Sequence, residues 1–343
     1  MNVSPIIEKD LVNIANHPLP WASLEGKTIL FVGINSFLLT YMVKLIFFLN
    51  KTVFKIPVKI KGIYRNPIRL KEQYGENVKN LILYKLTNIS HDFIKEIGHS
   101  DIIIHGASPA SPLDFMRFPL ETVELNIFLT RYLLDYAVTY SSENFIYFSS
   151  SEIYGFSYAD EQGIKENYVG GCNPLDLRSC YGESKRAAEM LCSIYYHSKE
   201  IPVKIIRPFH TYGPGMRLRD GRIFSDLIAD IIEKKSLTLK TDGKDRRSFC
   251  YLADAVSAYF TILFNGKVNE AYNVGNPQAV TSMIDLAKML NYLFPSSEIK
   301  ISPKKSEGSV CIPNIEKIKE LGWLPTIDLK EGFLRTVKSY EYN

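Results

Sequence analysis

From Lys27 onward, short apolar runs alternate with segments of helical spacing. Thr28–Val32 reads as a first strand and Phe37–Leu49 as a first helix. Val58–Ile63, Leu81–Tyr84, Asp101–His105, Phe145–Ser149 and Val203–Ile206 read as further strands. Between them, Leu120–Tyr140 and Tyr181–Ser198 carry apolar residues at helical intervals. Continuous apolar strands are buried on both faces, and intervening helices imply parallel crossovers. The pattern predicts an α/β fold, a doubly wound parallel sheet. After Pro208 the rhythm loosens and turn residues multiply: Gly213-Pro214-Gly215, Asp220-Gly221, Asp242-Gly243. A smaller second domain is expected there, over 208–343 and interleaved with a first domain over 27–207. Residues 1–26 read as an extension before the sheet.

Composition narrows the class without naming a chemistry. The 343 residues are 46% apolar and 23% charged, enough to bury a real core. The net charge of +4 is spread along the chain, which argues against a nucleic-acid binder with its concentrated basic stripe. Five cysteines without CxxC spacing suggest neither a disulfide framework nor a zinc site. A reducing cytoplasm is therefore expected, with no metal. The first residues contain acids and no long apolar core, unlike a signal peptide. Ile29–Leu49 is long enough to span a bilayer, but Lys44 within it would be costly in lipid. A buried strand, turn and helix is the better reading, with no membrane partner.

Chemistry first shows at Tyr181 and Lys185, in CYGESKRAAEMLC. Four residues apart, they share one helix face. An ammonium beside a phenol is expected to favour the phenolate and lower the tyrosine pKa, giving a base for a sugar hydroxyl. Alone, this pair reads more readily as an ordinary exposed helix face. About thirty residues upstream, a strand ends in YFSSSEIYG (Tyr147–Gly155), at the carboxyl edge where doubly wound sheets place their sites. Further blocks follow: IIRPFHTYGPGM (Ile205–Met216), DGKDRRSFCYLADAV (Asp242–Val256) and NIEKIKELGWLPTIDLKEGF (Asn314–Phe333).

In this order and spacing, the blocks resemble the extended short-chain dehydrogenase/reductases, the nucleotide-sugar epimerase/dehydratase family. The resemblance runs from Lys27 to about Tyr340. It implies a bound NAD or NADP, a nucleotide-sugar substrate, and a homodimer built on the two long helices. FVGINSFLLT (Phe31–Thr40) lies over the family's TGxxGxxG loop. Gly33 keeps the first glycine, Ser36 replaces the second and Leu39 the third, the last implying a slightly shifted helix. The loop and helix start (Gly33, Asn35, Ser36, Phe37, Leu38) would still offer N–H groups to a pyrophosphate. The second strand ends without an acid. Arg65 sits where some relatives hold the 2′-phosphate, which leans the reading toward NADP. Asn88 and Ile89 match positions near the adenine. Gly106, Ala107 and Ser108 would line the cofactor's other side, and Lys185 would hold a ribose.

The resemblance implies oxidation of the sugar at C4, then epimerisation, loss of water or loss of a carboxyl carbon. Ser150 matches the partner of the catalytic Tyr181, and Glu152 the glutamate of 4,6-dehydratases and UDP-glucuronate decarboxylases. Ser151, His210, Arg222 and Arg247 match substrate-facing positions; Arg246 is an alternative to Arg247. Leu177–Cys192 and Tyr212–Arg222 look most like the decarboxylases. Those enzymes, however, carry an arginine two residues before the proline of their RKPxI block, where this chain has Cys311. A 4,6-dehydratase or epimerase acting on a neutral hexose is therefore expected. A decarboxylase-type enzyme is the alternative. A non-catalytic NAD(P)-binding member of the fold is another, suggested by the worn glycine loop.

Overall fold

The computed structural model describes residues 4–155, 162–295, 298–306 and 308–342. In chain order the first half runs α1 (Pro5–Ala15), β1 (Thr28–Val32), α2 (Phe37–Thr52), β2 (Lys59–Tyr64), α3 (Pro67–Tyr74), β3 (Ile82–Lys85), α4 (His91–Lys95) and β4 (Ile102–His105). It continues with α5 (Pro112–Arg117), α6 (Pro119–Tyr140), β5 (Asn144–Phe148), α7 (Ser179–Lys199) and β6 (Val203–Pro208). The second half adds β7 (His210–Tyr212), α8 (Ile223–Ile232), β8 (Leu237–Leu239), β9 (Arg246–Tyr251), α9 (Leu252–Asn265), β10 (Glu270–Val274) and β11 (Val280–Ser282). Then come α10 (Met283–Leu293), β12 (Ile299–Ile301), β13 (Val310–Cys311), α11 (Glu316–Lys319) and α12 (Leu329–Ser339).

Among the described residues, seven strands form one parallel sheet in the order β10-β6-β5-β4-β1-β2-β3. The apolar runs explain it: Ile29–Val32 and Ile102–His105 are fully buried, as strands covered on both faces must be. The chain moves outward from β1 through β2 to β3, then restarts on the other side at β4. Between β1 and β4 the direction reverses, which opens a crevice at the carboxyl edge. From the second half, β10 returns to pair with β6, so the two halves share the large sheet. A smaller sheet joins β11, β9 and β13, with β7 against β9, above that edge. No helix among the described residues is long and apolar enough to cross a membrane. The Ile29–Leu49 window divides into β1, a turn and α2.

Local signals set the helix ends. Asn66 and Ser111 cap α3 and α5 by accepting from the N–H groups of Arg69 and Asp114, each with proline in the first turn. The long helices α6 and α7 stop at Ser141 and Glu200, both left-handed.

The first 26 residues are not a mere appendage. Leu11, Ile14, Trp21 and Leu24 are buried in the main core, and α1 packs on α2, α9 and α12. Asp10 is fully buried. Its carboxylate accepts from the Tyr41 hydroxyl at 2.7 Å, the Tyr251 hydroxyl at 2.6 Å and Arg335 Nη1 at 2.9 Å. Ile7, Leu11 and Ile14 recur at helical intervals behind Ser4 and Pro5, so this helix was within reach of the sequence, but the pattern reading began only at Lys27.

Candidate functional site

The crevice is a cleft of about 730 Å³. The turn after β1 (Gly33, Asn35, Ser36, Phe37, Leu38) and Gly106, Ala107 and Ser108 after β4 form one end. Ser150, Ser151, Glu152, Tyr181 and Lys185 lie along it. His210, Arg222 and Arg247 close the other end. Asn88 and Ile89 do not line this cleft. They line an adjoining groove of about 400 Å³ that shares Arg65 with it.

At the first end, Gly33 has φ +85°, and a Cβ there would lie 2.8 Å from the Cα of Ala107. Only glycine allows the two loops to touch so closely. Ser36 begins α2 without capping it by its side chain. The first N–H groups of a sixteen-residue helix therefore face the cleft without a side-chain cap. Leu39, in the third glycine's place, is absorbed from the other side: its Cδ1 occupies the space beside Gly106, 3.0 Å from where a Cβ would stand. The missing side chain at Gly106 leaves room for the bulk at position 39. The Ser149 hydroxyl and His210 Nδ1 are buried in the cleft walls and have no hydrogen-bond partner among the described residues. A glycine cradle, an uncapped helix start and orphaned polar atoms fit a dinucleotide and a polar substrate. Gly33→Ala is expected to cost about 1–3 kcal/mol through left-handed strain and the clash. It should also weaken dinucleotide binding about tenfold or more. Urea unfolding and calorimetric titration check it, and an unchanged affinity would remove the loop from the site.

The centre is built on β5 and α7. Ser150 lies just beyond β5 and accepts from the Glu152 N–H at 3.1 Å. Its side chain also acts on the Tyr181 phenol, favouring the phenolate. One turn along α7, Lys185 donates to the Phe148 carbonyl at 2.6 Å. Burial pushes Lys185 down to about 7, against the opposing pull of Glu189 and Cys192. The expectation that Lys185 lowers the Tyr181 pKa is not met. Burial pushes Tyr181 up to about 12, Ser150 and Arg222 pull the other way, and Glu152 adds to the rise. The Lys185 ammonium stands 5.9 Å from the Tyr181 ring centroid and is itself desolvated. Desolvation of the phenolate outweighs a cation at that range.

Three cleft residues escaped the sequence reading. Arg178 Nη2 lies 3.6 Å from Glu152 Oε2, and its guanidinium sits 5.8 Å from the Phe115 ring. Phe115 stacks on Tyr181, with centroids 5.3 Å apart and planes at 7°. Asp220 is buried and engages Arg222 Nε at 2.9 Å. Arg178 was within reach of the spacing argument, three residues before Tyr181 on the same helical face. Phe115 and Asp220 belong to other elements and carry no local signal.

At the far end, Arg247 donates to the Ser309 carbonyl at 2.8 Å and Oγ at 2.7 Å. Arg246 is exposed outside the cleft, so of the two Arg247 faces it. Burial, with Arg247 and Arg222 adding to it, pushes His210 down to about 3 and keeps its imidazole neutral. Cys311 lines the same wall, its thiol pushed up to about 12 by burial and so uncharged. Arg65 is not free, as the lean toward NADP supposed; it is ion-paired with Glu121 of α6.

Residues 32–275 match the NAD dependent epimerase/dehydratase family. The chain belongs to that family. UDP-glucuronic acid decarboxylase 1 of Arabidopsis thaliana is 38% identical over 256 residues, covering 74% of this chain and 58% of that protein's length. Two solved structures share the fold. The UDP-glucose 4-epimerase of Thermotoga maritima, with UDP-glucose, superposes with a TM-score of 0.78 at 22% identity, over 92% of this chain and 98% of that one. The dTDP-glucose 4,6-dehydratase of Streptomyces venezuelae, with NAD bound, gives 0.78 at 20% identity, over 92% and 97%.

Proposed function

We propose that this family member is a nucleotide-sugar enzyme that works through a 4-keto intermediate, with NAD(P) held in the cleft. The observation that carries this reading is the convergence of Ser150, Tyr181 and Lys185 on one cleft, with Ser150 favouring the Tyr181 phenolate. When bound in this cleft, NAD(P)⁺ would supply a hydride acceptor for C4 and a positive ring that favours the phenolate. Tyr181 takes the C4 hydroxyl proton as the alcohol becomes a ketone. Ser150 holds the same oxygen in line, and Lys185 donates toward a ribose with the ammonium protons not used on Phe148. The ketone acidifies C5, and this reading assigns that proton to the carboxylate of Glu152, which lines the cleft. Arg222 and Arg247 suit the diphosphate, since a guanidinium offers forked donors.

For the second half-reaction, a 4,6-dehydratase or epimerase on a neutral hexose is favoured. The wall carries an uncharged thiol at Cys311, and the cation paired beside it, Arg247, is the one this reading assigns to the diphosphate. A decarboxylase reading has one observation of its own beside the Arabidopsis relative: Arg178, in an ion pair with Glu152 that is about 40% exposed and so easily exchanged. A homodimer is also proposed. Helices α6 and α7 pack side by side, and Phe128 (53% exposed) and Met190 (63%) remain uncovered on them.

Incubating the protein with a panel of nucleotide sugars in heavy water, followed by mass spectrometry, tests the function. A product lighter by one water is expected, or an isomer of unchanged composition for an epimerase. Loss of carbon dioxide from UDP-glucuronate would transfer the weight from Cys311 to Arg178. No change across the panel would sink the catalytic reading.

A further inference from the structure

The adjoining groove bears on which dinucleotide the protein takes. In doubly wound folds the adenine-side ribose lies at the end of the second strand, where an acid receives its 2′-hydroxyl or an arginine receives a 2′-phosphate. Here β2 ends at Tyr64, and no acid occurs from Lys59 to Lys71. Arg65 follows at once. Across the groove α6 opens with Pro119 and presents Glu121 in its first turn and Glu124 in the next. Arg65 and Glu121 form an ion pair, 50% and 37% exposed, and both line the groove together with Glu124 and Asn88.

We propose that Glu121, reaching over from α6, supplies the ribose-facing carboxylate that β2 lacks, and that this chain takes NAD and discriminates against NADP. The assignment rests on reading the cleft as a dinucleotide site. A ribose 2′-hydroxyl donates to Glu121 while Arg65 keeps its partner. A 2′-phosphate, with about two negative charges, must instead pull Arg65 away. It then faces Glu121 and Glu124 with a single guanidinium to offset them. The Arg65–Glu121 pair is exposed and weak by itself. The discrimination comes from repulsion between the phosphate and the carboxylates, which penalises the wrong ligand more than the pair rewards the right one. Nor does the positive end of α6 rescue the phosphate, because Glu121 already offsets that dipole in the first turn.

Calorimetric titration of the full chain, stripped of any co-purified nucleotide, with NAD and with NADP at one fixed salt concentration tests this. The wild type is expected to bind NAD about tenfold or more tightly than NADP. Glu121→Gln should close most of that gap, chiefly by tightening NADP. Arg65→Ala should leave NADP weak. Equal or tighter binding of NADP by the wild type would overturn the proposal, and so would an unchanged ratio in a folded Glu121→Gln protein. Failure of both dinucleotides to bind would overturn it together with the functional reading. NAD preference without turnover of any nucleotide sugar would support the cofactor assignment and sink the functional reading alone. If Glu121→Gln fails to fold, the wild-type ratio decides.

Discussion

Tyr181→Phe is expected to lower kcat about a thousandfold while leaving NAD(P) affinity within about twofold. The phenyl ring keeps the stack on Phe115 and its place in the wall. What is lost is the phenol oxygen to which the proposed function assigns the proton transfer, beside Ser150 in the cleft. Removing a positioned acid or base typically costs two to four orders of magnitude. Deuterium incorporation at C5 should vanish with turnover, because C5 becomes acidic only after C4 is a ketone. Single-turnover assays and cofactor titration separate the two effects. Retention of more than about a tenth of the activity would exclude Tyr181 as the proton acceptor. A parallel loss of NAD(P) binding would point to a structural role instead.

Asp10→Ala is expected to destabilise the protein by about 3–5 kcal/mol. The substitution strips two buried phenols of their acceptor, each costing about 1–3 kcal/mol when left unpaired. Arg335 loses one carboxylate and keeps the other, Glu331 Oε1 at 2.7 Å. The carboxyl itself is not comfortable. Burial raises its pKa, with Tyr251, Tyr41 and Arg335 pulling it back. Its protonated form is therefore the one that folding favours, so this contribution is present at low pH and is lost as pH rises through the folded-state value. The expected loss on substitution comes from the stranded partners. Urea unfolding of Asp10→Ala beside Tyr41→Phe and Tyr251→Phe measures it. A loss below about 1 kcal/mol would mean that water or a shifted Arg335 satisfies the site. Asp10 and Arg335 both lie outside the stretch that matches the family, residues 32–275, so this cluster anchors parts of the chain that the match does not reach.

Much of the sheet was legible because its signal is local. A strand buried on both faces must be apolar throughout, and β1, β4 and β5 announce themselves within one or two residues of their ends. The pair Tyr181 and Lys185 was legible for the same reason, since four residues on a helix bring two side chains to one face. The strands of the second half were harder to see. Elements of two or three residues, such as β7, β11 and β13, are held by pairing with β9 and carry no periodicity of their own.

By itself the sequence determined the class of fold and the succession of strands and helices along the chain, since these follow from run length and spacing. The residues expected at the carboxyl edge followed from the resemblance of its ordered blocks to a known family. Tertiary structure alone decided what those residues meet. Leu39 stands at a position where the resemblance expects glycine, and it fits against Gly106, on another strand's loop, where a Cβ would crowd it. Tyr181 is pushed up by burial although a lysine lies one turn away, because desolvation depends on the whole surround and spacing reports only the neighbour. Arg65 reads as a phosphate ligand until Glu121 from α6 is found against it. In each instance the deciding partner is remote in sequence, and only the folded sheet brings the two within range of a Coulombic or van der Waals contact.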